Sequence, residues 1–192
     1  MADLVLKGST SGETILRGPA VGTGTVITVP TETGTLRTTV STGTVLQVVS
    51  SSTGAFATGT TQIPIDNTIP QNTEGTEFMT LAITPRSATS KLKIEVIMQT
   101  SNSVASWCIV ALFQDSIANA LATGWGYIDT ATAGDCVTIV HYMTSPGTGT
   151  YTFKVRGGPA AASTFGINGQ AGVAARYGGT LASSITITEV VP

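Results

Sequence analysis

The chain has 192 residues, of which 10% are charged and 41% are hydrophobic, and its formal net charge at pH 7 is −2. Ordinary soluble proteins carry about 25% charged residues, so threonine, serine and glycine must supply most of the polar surface here. The basic residues form no run, which argues against binding of nucleic acid through its phosphates. No apolar stretch approaches the ~18 residues of a membrane-spanning helix, so we expect no membrane partner. The N-terminus, MADLVLKGST, has no basic region followed by an apolar core, which predicts synthesis in the cytoplasm without a signal peptide.

Residues 1–50 consist of short β-prone runs such as LVLKG, ETILRGP and GTVITVP, each ended by glycine, proline or a Ser-Gly turn. They contain too few apolar residues to close a core, so we predict a thin β arm that attaches to another chain. The candidate attachment residues are Leu4, Leu6, Ile15, Val26, Ile27 and Val29. Residues 51–76 are rich in Thr, Asn and Gln without any period, which predicts an extended linker.

Residues 77–192 carry the strong strand signals. Apolar or alternating runs predict strands at 77–84, 91–100, 106–115, 135–143, 150–158 and 183–190, with weaker strands near 118–127 and 163–168. About eight strands joined by turn-forming segments predict an all-β fold, namely a jelly-roll-like β-sandwich that follows the N-terminal β arm.

Two of these segments, 106–115 and 135–143, are apolar on both faces, whereas the strands of a monomeric sandwich should have a polar outer face. We therefore predict that a partner subunit covers the extra apolar face in a closed, symmetric homo-oligomer. The candidate subunit-interface residues are Trp107, Ile109, Phe113, Val137, Ile139, His141 and Tyr142. The alternative is that a loop, or the N-terminal arm, covers this face within the same chain.

The titratable residues show no catalytic pattern, so we expect no enzymatic activity. His141, the sole histidine, and Cys136 are separated by five positions of one strand and therefore point to opposite faces, which excludes a dyad between them. The carboxylates are scattered, although a cation site or a polysaccharide-cleaving site built from Asp115, Asp129 and Asp135 stays open as an alternative. No Cys/His spacing indicates a metal, and no cofactor is expected.

The two cysteines, Cys108 and Cys136, each lie within an apolar segment. This context predicts two buried free thiols, and a disulfide between neighbouring strands is the alternative. The segment GWGYID places Trp125 and Tyr127 among turn residues. Because aromatic rings stack on sugars, these two residues are the candidate ligand platform, and the alternative is that they are ordinary strand or core aromatics.

Part of the sequence is similar to proteins of bacteriophage particles. The segment LVLKGSTSGETILRGPAVGTGTVITVPTETGTL, residues 4–36, resembles a Gly/Thr-rich segment that recurs in tail-fibre and other appendage proteins of tailed bacteriophages. The stretches MTLAITPRSATSKLKIEV, IVALFQDSIANALA and SSITITEV are similar to a phage fibre-tip or virion-surface domain. The resemblance implies a homotrimer, a location on the virion surface and no catalysis.

The chain carries a single copy of the arm segment, which favours a compact knob over a long fibre. We therefore expect a homotrimeric capsid-decorating (cement) protein that stabilises the shell, with the arm bound to the major capsid protein or another virion protein. The alternative is a short tail fibre or fibre tip that recognises a host surface glycan.

Overall fold

A computed structural model of the protein describes the backbone of residues 4–7 and 13–16 and all of residues 42–192. The chain divides into two compact units, residues 1–39 and 40–192. In the first unit, β1 (Leu4–Lys7) pairs with β2 (Glu13–Leu16) in an antiparallel hairpin. Of the candidate attachment residues, Leu4, Leu6 and Ile15 belong to this hairpin, whereas Val26, Ile27 and Val29 lie outside the described residues.

The second unit is built from strands and turns. In chain order its strands are β3 (Val45–Thr53), β4 (Ala57–Gly59), β5 (Thr76–Ile83), β6 (Lys91–Asn102), β7 (Ser106–Gln114), β8 (Ala122–Ile128), β9 (Gly134–Thr144), β10 (Tyr151–Pro159), β11 (Phe165–Ile167), β12 (Gly169–Gln170), β13 (Ala174–Ala175) and β14 (Ser183–Val190). Within the described residues the only helical element is a 3-10 turn at Tyr177–Gly179, and no helix there is long and apolar enough to cross a membrane.

The eight long strands form two antiparallel sheets. The small sheet has the order β5-β10-β7-β8, and the large sheet has the order β3-β14-β6-β9, with β11 and β4 continuing it beside the end of β6. Consecutive strands repeatedly switch from one sheet to the other, which is the arrangement of a jelly roll. The prediction of an all-β, jelly-roll-like sandwich is confirmed, and the six strong strand predictions match observed strands to within two residues at either end.

The main core lies between the inward faces of the two sheets. In β6, every second residue from Leu92 to Met98 is buried, and in β14 the buried residues Ile185 and Ile187 alternate with threonines. Phe153 of β10 and Leu112 of β7 face them from the small sheet. This period of two follows from the pleat of a strand, which sends successive side chains to opposite faces.

The sandwich starts earlier than the predicted boundaries at residues 50 and 76. The strand β3 pairs with β14 along its whole length, because its outward residues can match the Thr/Ser face of β14. The predicted linker, residues 51–76, is also ordered against the sandwich. The backbone N–H of Ile63 donates to Pro159 O at 3.1 Å, and that of Ala120 donates to Pro70 O at 2.9 Å.

This segment covers the outer face of the small sheet. Ile63, on the segment, packs against Ile109, Ala111 and Phe113 of β7, and all four side chains are buried. The second apolar face of β7 is therefore covered by a loop of the same chain, which was the alternative to a partner subunit.

Candidate functional site

Strand β8 presents two aromatic side chains to the outside because its inward positions are glycines. A Cβ atom on Gly124 would lie 2.9 Å from the backbone oxygen of Thr138 in β9, and one on Gly126 would overlap the carboxylate of Asp135. The alternation of the strand then turns Trp125 and Tyr127 outward, where 60% and 51% of their surface is exposed. The sequence GWGY is thus the local cause of an exposed aromatic pair.

The ring of Trp125 is held by a second tryptophan. Trp107 of β7 stacks on Trp125 with ring centroids 4.2 Å apart and an interplanar angle of 12°. Trp107 also lies opposite Tyr127 in the strand register, at a centroid distance of 4.8 Å and an angle of 59°. Stacked and tilted pairs at such distances are favourable, so Trp125 keeps its orientation although it is largely exposed.

Trp125 forms one wall of a groove of about 410 Å³ on the outer side of the small sheet. The opposite wall is the segment 63–70, which contributes aliphatic side chains, including Ile65, and the polar residues Asp66 and Thr68. Ile109 of β7 contributes to the lining between them. A mostly apolar groove with a few polar groups is the usual form of a small-ligand site.

Among the described residues that line this groove, Asp66 is the only charged one. Its Oδ1 atom accepts hydrogen bonds from the Thr68 hydroxyl and, at 2.7 Å, from the Thr68 backbone N–H. These bonds, first that from the hydroxyl, hold the pKa of Asp66 below its usual value, so the carboxylate is ionised at neutral pH. Within the described part of the chain the other oxygen, Oδ2, makes no hydrogen bond and can accept one from a ligand.

The structure divides the candidate interface residues into two groups. Ile109, Phe113, Val137 and Ile139 are buried within the subunit, the first two beneath the segment around Ile63 and the last two between the sheets. The prediction is wrong for these four, because a side chain already buried in its own subunit offers no surface to a partner. The other three candidates, Trp107, His141 and Tyr142, are at least partly exposed.

Trp107 is half-buried beneath Trp125 and therefore supports that ring rather than presenting a free face to a partner. His141 points inward and is half-buried, and this burial lowers its pKa. Tyr142 alone is open, with 67% of its surface exposed on the outer face of the large sheet. Its role as an interface residue stays a prediction.

Tyr142 is one of several apolar side chains on the outward side of the large sheet, which the sequence did not reveal as one surface. We use the term outer face for the outward side chains of β3, β14, β6 and β9, which include Val48, Ile97, Val140 and Tyr142, all exposed. Lys93 lies on this face next to Glu95, with 2.8 Å between Nζ and Oε1. The Lys93–Glu95 ion pair therefore compensates the charges at the centre of this face. The rest of the face is largely serine and threonine. The available signal was Ile97, which breaks the alternation of Lys91, Lys93 and Glu95.

The remaining candidates for chemistry do not come together. Both cysteines are free, and Cys108 is buried as predicted, which raises the pKa of its thiol to about 11. Cys136 is exposed, contrary to prediction, because it is on the outward face of β9. Asp115 and Asp135 each accept a backbone N–H bond, at 2.8 and 2.7 Å. Among residues 42–192, no group of three or more His, Cys, Asp or Glu side chains could hold a metal ion.

Comparisons with known proteins give likeness of fold only. No protein-family model matches the sequence, and no curated protein matches it either. Among solved structures, the Eiger TNF of S. frugiperda is 9% identical, with a TM-score of 0.43 over 74% of this chain and 92% of that one. The C-terminal domain of EclA, described as a sugar-binding protein, is 15% identical, with a TM-score of 0.34 over 59% of this chain and 73% of that one. A structure of the Gx strain of infectious bursal disease virus is 10% identical, with a TM-score of 0.38 over 97% of this chain and 50% of that one. Similarity this low assigns no function.

Proposed function

We propose that the protein is a non-enzymatic component of a bacteriophage virion surface, and that its sandwich binds a host surface glycan in the groove beside Trp125. The phage assignment rests on the resemblance of residues 4–36 and of the three stretches in the sandwich. The glycan assignment rests on one observation, the exposed and pre-ordered ring of Trp125 at the edge of the groove. The C–H faces of a sugar ring are apolar, whereas its hydroxyl groups seek acceptors such as Asp66.

The order of the Trp125 ring supports a binding role on energetic grounds. Fixing an exposed side chain on binding costs about 0.5–1.5 kcal/mol in lost rotamer freedom. The stacking on Trp107 has already removed most of that freedom in the free protein. A single carboxylate lines the groove, and glycoside hydrolysis ordinarily needs two. We therefore propose binding rather than cleavage.

The test is binding of glycans to the purified full-length protein. We expect Trp125→Ala to weaken binding of a cell-surface polysaccharide fraction from a susceptible host at least tenfold, because the stacking surface is lost. The matched control is Tyr177→Ala, since Tyr177 is an equally exposed aromatic residue that does not line this groove. Equal binding by both variants would contradict the proposed site.

We further propose that the protein assembles as a homotrimer through the outer face. Interface cores are poor in unpaired charge and rich in aromatic and apolar residues, and the outer face exposes Val140 and Tyr142 beside Glu95 and Lys93, whose charges are paired with each other. We expect Val140→Lys to reduce the mass measured by light scattering from that of a trimer to that of a monomer. The control is Val173→Lys, because Val173 is equally exposed but lies in a loop. A wild-type monomer, or a trimeric Val140→Lys variant, would refute this interface.

Capsid decoration is the second candidate function. Its support is the Thr/Ser-rich outer face, which carries few charges, together with a single short arm, a combination that suits a small trimer attached to a shell. The two functions differ in copy number. Quantifying the polypeptide against the major capsid protein in purified particles should give a few trimers per particle for a receptor-binding fibre and hundreds of copies for a decoration protein.

A further inference from the structure

We propose that the groove selects uncharged hexoses and rejects sugars that carry a carboxylate. This inference rests on the proposed glycan-binding function and names the class of sugar that the same site takes. Three features of the groove support it: its charge, the position of its hydrogen-bond acceptor, and the chemistry of its walls.

The charge of the groove is negative and uncompensated within its lining. Asp66 lines it, and none of the other lining residues that the structure describes is Lys, Arg or His. A uronic acid or a sialic acid would bring a second carboxylate within a few ångströms of the first. Two like charges about 5 Å apart repel each other even where water screens them, which weakens binding by roughly fourfold, and by more where the bound sugar excludes water.

The free acceptor of Asp66 suits a sugar hydroxyl. An ionised carboxylate only accepts hydrogen bonds, and Oδ1 is already used by Thr68 while Oδ2 is not. Charge-assisted bonds from O–H to a carboxylate are among the stronger hydrogen bonds in proteins. An uncharged hexose offers several such donors around its ring, so it can satisfy Oδ2 while one of its C–H faces lies on Trp125.

A cationic ligand is the competing chemistry, because a carboxylate beside an aromatic ring also attracts ammonium groups. Recognition of quaternary ammonium groups typically uses a cage of several aromatic faces. Here one face of Trp125 is occupied by Trp107, and the segment across the groove is aliphatic, with Ile63 and Ile65 among its side chains. One open aromatic face with aliphatic neighbours favours a sugar ring.

The experiment compares sugars that differ only at C6. Binding of the methyl glycosides of galactose and galacturonic acid, and of glucose and glucuronic acid, is measured by NMR titration of the full-length protein at pH 7, with choline as the cationic probe. We expect one of the neutral hexoses to bind at least roughly fourfold more tightly than its uronic acid, and choline to bind more weakly than that hexose. Asp66→Asn should reduce the difference in affinity between this hexose and its uronic acid, since it removes the charge of the side chain and keeps its shape.

The possible results distinguish failure of the sugar selectivity from failure of the proposed glycan-binding function. A uronic acid that binds as well as its hexose, a gap that Asp66→Asn leaves unchanged, or preferential binding of choline would each overturn the selectivity. In the first two cases, glycan binding that is lost in the Trp125→Ala variant would still support the proposed glycan-binding function. Absence of binding by both neutral sugars and both uronic acids would refute the glycan-binding function itself. Because Asp66 is exposed, the Asn variant should fold, and tryptophan fluorescence checks this.

Discussion

Glu189 is the most heavily hydrogen-bonded carboxylate in the described part of the chain, and it yields a sharp prediction about stability. It lies near the end of β14 and is fully buried. Its oxygens accept bonds from Ser90 Oγ and Gln47 Nε2, both at 2.6 Å, and from the backbone N–H groups of Arg86 and Ser87, at 2.9 and 3.2 Å. One side chain thus holds the turn before β6 and the edge strand β3 together.

We expect Glu189→Gln to lower the free energy of unfolding by about 2–4 kcal/mol. A hydrogen bond to a charged acceptor contributes about 1.5–3 kcal/mol, and one to a neutral acceptor about 0.5–1.5 kcal/mol. The substitution makes the acceptor neutral, so the short bonds from Ser90 and Gln47 each lose most of the difference between these two values. The new amide also places a donor against the donating amide of Gln47. The control is Glu95→Gln, which removes one partner of a surface ion pair and should cost at most about 1 kcal/mol.

The pH dependence tests the cause. Burial raises the pKa of Glu189, but the bonds from Ser90, Gln47, Arg86 and Ser87 outweigh it and hold the pKa below its ordinary value of 4.5. The stabilisation is therefore complete above pH 4.5 and is lost as the pH falls through the lower pKa of the folded protein. Urea unfolding, followed by tryptophan fluorescence at fixed protein concentration, should show a large difference between wild type and Glu189→Gln at pH 7 that shrinks toward pH 3. A difference that stays constant over this range would refute the reasoning.

Two further predictions concern β8 and the thiols. Gly124→Ala should lower the free energy of unfolding by about 1–3 kcal/mol, because its Cβ would meet a backbone oxygen of β9 at 2.9 Å, whereas Gly126→Ala should cost less, because it meets the movable end of a side chain. Equal losses in urea titrations would contradict this account. A thiol reagent should modify Cys136 in the native protein and Cys108 only after unfolding, so two thiols that react at one rate in the native state would contradict the burial.

The strands of the sandwich were predictable because each has a strong local pattern. Lys91, Lys93 and Glu95 alternate with buried aliphatic residues in β6, and β14 alternates threonine with isoleucine. The edge strand β3 was divided between the predicted arm and the predicted linker, because its apolar run VLQVV is followed by SSST, a pattern that also suits an extended linker. Pairing with β14, which is more than 130 residues away in the sequence, makes it a strand. Such long-range pairing leaves no trace in the local sequence.

The candidate site was predictable in part. The turn residues around Trp125 and Tyr127 indicated an exposed aromatic pair, and both residues are exposed. Trp107 was assigned to a subunit interface because its strand is apolar on both faces, and Asp66 was not singled out because it comes from a segment without any period. Tertiary folding places Asp66 and Trp125 in one groove and stacks Trp107 on Trp125.

The covering of β7 also changes where an oligomer can form. The apolar residues Ile109 and Phe113 suggested a partner on the small sheet. The segment around Ile63 already covers that side, except at the groove beside Trp125. The homotrimer proposed above would then use the large sheet, where Val140 and Tyr142 stay exposed beside the paired charges of Lys93 and Glu95. Glycan binding and self-association, as proposed, therefore use different surfaces of the sandwich. Self-association through the large sheet leaves the groove on the small sheet open, so each subunit of a trimer could offer one glycan site, and three weak sites on one particle component would bind a repetitive cell surface far more tightly than one.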